Sequence, residues 1–277
     1  LVGRTLLAAS ARLPGPQVDR IVGGRVESVE ALGKNLLIRV SSASSAGPTL
    51  ELRTHLGMHG SWHRYRPGEP WRRSRARARL VLEVEGSVAV CFDARTVELF
   101  EARAEPVHPP LARLGPDLLA PDLGETGEAE AVRRLADPSR AARPIAEALL
   151  DQTALAGIGN VYKSELLFIE RLDPFTPTGE VPAASLARLV STARRLLLAN
   201  ADRRTSGERR TTGDDPAAGG AALWVYGRAG RPCRRCGERL GSRRHGADLP
   251  RVTYWCAGCQ RRPSGAGERP AIIARDV

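Results

Sequence analysis

Four cysteines, Cys233, Cys236, Cys256 and Cys259, stand as two C-x2-C pairs separated by nineteen residues. Each pair sets two sulfurs on one side of a tight turn, and two such turns at this separation can converge on a single tetrahedral ion. Nothing else in the chain limits its folding so tightly. A segment this short buries too little apolar surface to hold itself together, so a bound metal holds it and leaves its exterior free for contact. Four cysteine ligands leave no coordination position for water, and the expected ion is one structural Zn2+. Two disulfides, or four unrelated thiols, are the alternatives that spacing alone leaves open.

The surroundings of these cysteines are basic. Residues 228–277 hold twelve arginines and no lysine against four acidic side chains, a net of eight out of the chain's formal +11. A stiffened element carrying most of the net charge reads as a footprint for a polyanion, most simply nucleic acid. A merely solvated surface ordinarily mixes the two signs. No apolar run has the length needed to span a bilayer, and no charged start with an apolar centre marks a signal peptide. Cysteines in a metal-type pattern fit a reducing, cytoplasmic compartment. The fifth, Cys91, sits in SVAVCF and reads as a buried strand residue. Among 42 Lys and Arg residues only Lys34 and Lys163 are lysines, which marks both for attention.

With 277 residues and 42% hydrophobic content, the chain has material for two or three domains. The first hundred residues read as β structure. Strands are expected over 25–31, 36–41, 49–54, 78–85 and 88–93, with a hairpin turn at Glu85, Gly86 and Ser87. Several short strands with turn signals between them predict a sandwich or barrel. A stretch rich in Pro, Gly and Asp over 106–127 marks a boundary, and helices are expected over 128–136, 141–150, 161–171 and 183–201. A polar, Gly-bearing connector over 203–220 leads to the cysteine segment, and 261–277 reads as a loose tail.

Between two of these helices lies QTALAGIGNVYKSE, residues 152–165. Gly157 and Gly159 permit close backbone approach, and Asn160 is a good N-cap for the helix that follows. Free N–H groups at a helix start form an anion site, and Lys163 in the first turn could add a point charge to it. An ordinary helix–turn–helix packing motif is the alternative.

Taken together, these stretches resemble the formamidopyrimidine-DNA glycosylase/endonuclease VIII family. DQTALAGIGNVYKSELLF is similar to its helix–two-turn–helix element, and WVYGRAGRPCRRCG with RVTYWCAGCQ to its C-terminal zinc finger. LGKNLLIRV and THLGMHGSW resemble parts of its N-terminal β domain, and LGPDLL its linker. TTGD before the finger, and the lack of a DxRRFG stretch, resemble the endonuclease VIII side, in particular its actinobacterial branch.

The resemblance implies an α+β multidomain protein with an N-terminal β-sandwich over 1–120, a helix–two-turn–helix domain over 121–227, a zinc finger over 228–262 and a tail over 263–277. It implies base excision: hydrolysis of the bond to an oxidised base flipped out of double-stranded DNA, then cleavage of the abasic site by β,δ-elimination. The implied setting is a bacterial cytoplasm, at the nucleoid, and a monomer is the default expectation. Carried over by motif, Lys34 engages the phosphate of the damaged nucleotide and donates a proton in elimination. Arg251, five residues before Cys256, grips phosphates around the lesion and is tied to δ-elimination. Asn160 is the phosphate-binding asparagine of GIGN. Met58 and Arg95 match the wedge side chains that fill the gap left by the flipped base, although Val97 stands where the glycosylase branch has phenylalanine. Core filling for Met58 and a solvated strand end for Arg95 are the bland alternatives.

The front of the sequence departs from the family. Its nucleophile is the amine of an N-terminal proline followed by an acid/base glutamate, whereas this sequence opens LVGRTLLAAS, which resembles the stretch after the first helix. The expectation is therefore a chain short of that segment. The second functional reading is a catalytically silent damaged-DNA-binding protein on the same scaffold, and the third a zinc-ribbon accessory protein unrelated to repair.

Overall fold

The computed structural model describes residues 1–12, 14–44, 47–205, 212–215, 220–246 and 251–260. The expected tail over 261–277 lies outside these residues, as does most of the expected connector over 203–220. Two compact units divide the chain, Leu1–Asp117 and Leu118–Val277.

Alternation of apolar and polar side chains builds the first unit. Eight strands form it: β1 (Leu6–Ala11), β2 (Val26–Leu32), β3 (Asn35–Val40), β4 (Leu50–His55), β5 (Ser61–Tyr65), β6 (Ala78–Val84), β7 (Ser87–Phe92) and β8 (Thr96–Glu101). They make two antiparallel four-stranded sheets, ordered β1-β6-β7-β5 and β2-β3-β4-β8. Leu80, Leu82 and Val84 of β6 meet Ile38, Val40, Leu50 and Leu52 of the other sheet in one apolar core, the sandwich the sequence predicts. Cys91 is fully buried there. Val84 pairs with Ser87 across Glu85 and Gly86, so the expected hairpin is present. Central strand β4 is covered on both faces, and its outward Glu51 and Arg53 are buried with partners, Arg39 at 3.0 Å and Glu98 at 2.5 Å. A short helix α1 (Pro109–Ala112) follows the sandwich.

Strands β1, β5 and β8 are absent from the sequence-based expectation. After buried Leu6 and exposed Leu7, β1 (LLAASA) holds only small residues, and β5 (SWHRY) is largely polar. All six residues of β8 are half-buried, so none stands out as core.

The second unit contains α2 (Gly124–Leu135), α3 (Ile145–Ala148), α4 (Asn160–Ile169) and α5 (Ala183–Thr205). Leu135, Ile145, Leu149, Leu155, Leu166 and Leu189 form its main core. The helix expected over 141–150 is reduced to the four residues of α3. Pro144 stands extended just before it, lacking an N–H and keeping its predecessor out of helical space. Two short pairs complete the unit, β9 (Gly213–Asp215) with β10 (Gly220–Ala222) and β11 (Gly241–His245) with β12 (Arg251–Trp255). Phe168 of α4 is buried with Val225, Leu240, Cys233 and Cys256, so the helical part and the cysteine segment share one small core.

Candidate nucleic-acid interface

In the first unit, Lys34, Met58 and Arg95 gather at one end of sheet β2-β3-β4-β8. Gly33 and Lys34 form the turn between paired Leu32 and Asn35. That turn is held from both sides: Gly33 N–H donates to Asp117 Oδ2 at 2.6 Å, and buried Asn35 donates to the Leu32 carbonyl at 3.0 Å. Arg53 Nε donates in turn to Asn35 Oδ1 at 2.9 Å. Across the ladder from Asn35 lies His55, whose carbonyl accepts from the Arg95 N–H at 2.9 Å. Gly57 has φ +65, a backbone only glycine adopts at low cost, and a Cβ there would lie 3.3 Å from that of Arg95. The loop thus turns tightly against Arg95 and carries Met58 outward, 69% exposed. Met58 is not core filler.

His55 is missed by the sequence analysis, because a histidine ending a strand carries no signal of its own. Burial pushes its pKa below the ordinary imidazole value, and the charges of Arg53, Lys34 and Arg95 push the same way. The ring is therefore neutral at pH 7 amid a positive field, the electrostatics of an anion site.

In the second unit, Asn160, Lys163 and Arg251 come together, with two differences from expectation. Gly159, not Asn160, is the N-cap of α4, with φ −117 and ψ −177. Asn160 is the first helical residue, so its side chain does not cap the helix. Lys163 adds no point charge to the surface, because it is fully buried. Its Nζ donates to Asn160 Oδ1 at 2.6 Å and to the Val252 carbonyl at 3.1 Å. Burial, reinforced by the charge of Arg251, drops its pKa to about 7, while Glu147 opposes the fall. The preceding loop is stapled by Gln152, which donates to the carbonyls of Leu150 and Ile158 and accepts from the Gly157 N–H at 3.2 Å.

Glu165 is a further buried group that the sequence analysis misses. Its carboxylate accepts from the N–H groups of Trp224, Val225 and Tyr226 at 2.7 to 2.8 Å and from the Thr212 hydroxyl. It thereby fastens the chain leading to the cysteines onto α4. The available signal is a charged residue heading the apolar run ELLF.

Strand β12 runs from Arg251 directly into Cys256. The four thiols lie within 4.8 Å of one another, with Cys236 and Cys256 at 3.4 Å and Cys233 and Cys259 at 3.9 Å. A tetrahedral ion with bonds of about 2.3 Å sets its sulfurs about 3.8 Å apart, whereas a disulfide needs about 2.05 Å. The donor set and its spacing therefore fit zinc, and the disulfide alternative falls away. Arg235 lies over the Phe168 ring at 4.3 Å and donates to the Phe168 carbonyl, bracing the first cysteine turn.

Kinship agrees with this geometry. Residues 4–99 match the formamidopyrimidine-DNA glycosylase N-terminal domain and residues 114–211 the formamidopyrimidine-DNA glycosylase H2TH domain. Probable endonuclease 8 2 of Streptomyces coelicolor is 40% identical over 98% of this chain and 93% of its own length. The DNA-(apurinic or apyrimidinic site) lyase Nei2 of Mycolicibacterium smegmatis is 39% identical, covering 94% of this chain and 92% of its own. Among solved structures, a complex of Lactococcus lactis Fpg with DNA containing an abasic site superposes with TM-score 0.72 at 22% identity, over 95% of this chain and 94% of that one. A complex of MutM with DNA containing carbocyclic 8-oxo-G superposes with TM-score 0.73, at the same identity and coverage. The chain belongs to the formamidopyrimidine-DNA glycosylase/endonuclease VIII family of base-excision repair proteins, with its β-sandwich, H2TH helical region and four-cysteine site.

Proposed function

We propose that this protein is a DNA glycosylase and AP lyase of the endonuclease VIII type, which releases oxidised bases from double-stranded DNA and cuts the abasic strand by β,δ-elimination. The observation that carries the reading is the sheet end where Lys34, His55 and Arg95 converge beside an exposed methionine. A protein that only clamps the backbone has no use for an outward apolar side chain among cations. An enzyme that extrudes a base does, because the vacated stack must be filled.

In this reading Met58 and Arg95 enter the gap left by the extruded nucleotide, and Lys34 contacts its phosphate and supplies a proton during elimination. Asn160 and Arg251 hold backbone phosphates, through charge-assisted hydrogen bonds that fix the register of the strand. Cys233, Cys236, Cys256 and Cys259 hold one structural Zn2+, which stiffens the ribbon carrying Arg251 and activates no water. The attacking group in the family is a proline α-amine, about 7.7–8.0 in pKa and so partly neutral at pH 7. It displaces the base at C1′ and forms a Schiff base. No residue of this sequence is assigned that role.

Borohydride trapping tests the proposal. The protein, expressed from its own gene, is mixed with a duplex carrying one abasic site and reduced. A covalent protein–DNA band is expected. Tight binding of the same duplex with no covalent band overturns the enzymatic reading in favour of a silent lesion-binding protein.

A further inference from the structure

Lys163 has the geometry of a support, not of a contact. A fully buried ammonium is costly, and this one donates to two acceptors, Asn160 Oδ1 and the Val252 carbonyl. Those acceptors belong to the two elements that bear the phosphate-binding candidates of this unit, the start of α4 and the start of β12. An asparagine amide can present either its oxygen or its NH2 to a ligand, and a phosphate accepts but does not donate. A lysine that occupies the oxygen leaves the NH2 as the outward group. The same ammonium ties down the carbonyl next to Arg251, and so sets the height of that guanidinium relative to the amide.

We infer that Lys163 is a positioning residue: its ammonium fixes the amide orientation of Asn160 and the seat of Arg251, so that both present donors to one backbone phosphate. This rests on the proposed phosphate contacts of Asn160 and Arg251. It goes beyond them in giving the buried lysine control of the site, and with it a dependence on pH.

The charged and titratable groups acting on Lys163 come from each packed element: Glu147 of α3, Arg251 of β12 and His245 of β11. Glu147 is hydrogen-bonded to His245 Nδ1 at 3.0 Å, and burial keeps that ring's pKa below the ordinary value. His245 therefore titrates below neutrality, apart from Lys163 at about 7. A phosphate arriving beside Asn160 and Arg251 offsets the positive charge of Arg251 and favours the protonated lysine. Binding then takes up a proton, and affinity falls as pH rises through neutrality.

The test measures affinity for a duplex carrying one tetrahydrofuran abasic-site analogue, from pH 6 to 8.5 at fixed ionic strength, in the full zinc-loaded chain. Wild type is expected to weaken across this range. Lys163→Met is expected to lose roughly tenfold in affinity at pH 6.5 and to show no weakening between pH 6.5 and 8. Asn160→Ala added to Lys163→Met should cost little more, because the two act as one unit. Lys163→Gln keeps a donor for Asn160 and has no charge to lose, so it should retain most of the affinity while removing the pH dependence. Should Lys163→Met fail to fold, Lys163→Gln alone decides. A Lys163→Gln protein with the wild-type pH profile overturns the inference, as does a folded Lys163→Met protein with wild-type affinity. If wild type itself does not bind the duplex, the proposed function fails first, and the two failures are distinct.

Discussion

His55, His63 and His245 each hold a proton less tightly than a free imidazole, with burial as the largest cause and neighbouring cations adding to it. The folded values lie below the ordinary value of about 6.5, so the unfolded chain takes up protons first as the solution is acidified. The histidines' contribution to stability is therefore full above about pH 6.5 and is lost as pH falls through the folded values. The urea midpoint should drop between pH 7 and 5, and His55→Gln should make the drop shallower. An unchanged slope in His55→Gln would mean that His55 is not buried among Arg53, Lys34 and Arg95 as the structure places it. Motifs locate Lys34, Met58 and Arg95, because LGKN, HLGM and DART are local strings. They cannot locate His55 or Glu165, whose surroundings are assembled from partners distant in the chain.

At the scale of elements, hydrophobic periodicity reveals β3, β4, β6 and β7, because each has a face that is plainly apolar, whereas β2 buries only Val26 and is marked by its β-favouring valines and the turn that follows it. Periodicity fails for β8, whose residues are all half-buried, and for α3, where Pro144 overrides a helical pattern. Spacing reveals the cysteine ribbon almost completely, since a C-x2-C turn is itself a piece of geometry. What spacing cannot reveal is how the ribbon is seated. Phe168 reaches into its core, and Glu165 takes three N–H groups from the segment leading to it. Gln260 anchors the other end, accepting from the Cys256 N–H and donating to the Leu172 carbonyl. Cys256→Ser should therefore loosen more than the metal site. Zinc content should fall from one per chain, measured by metal analysis, and DNA affinity should fall with it. A variant that keeps both full zinc and full affinity would contradict the four-cysteine site.

At the scale of the whole molecule, the formal charge of +11 sets the long-range attraction to a polyanion, whereas the named side chains set register. These two contributions separate in salt. Arg251→Ala should weaken binding to every duplex by a similar factor and reduce the slope of log affinity against log salt by about one, as expected when one phosphate contact is lost. An unchanged slope would remove Arg251 from the backbone. Chemistry on damaged DNA shows most plainly in the strand itself. A labelled duplex with a single abasic site is incubated with the protein, and the products are resolved on a denaturing gel. A shortened strand ending in a 3′-phosphate, the product of β,δ-elimination, is expected. A strand left whole under conditions where the duplex is fully bound would contradict the proposed function.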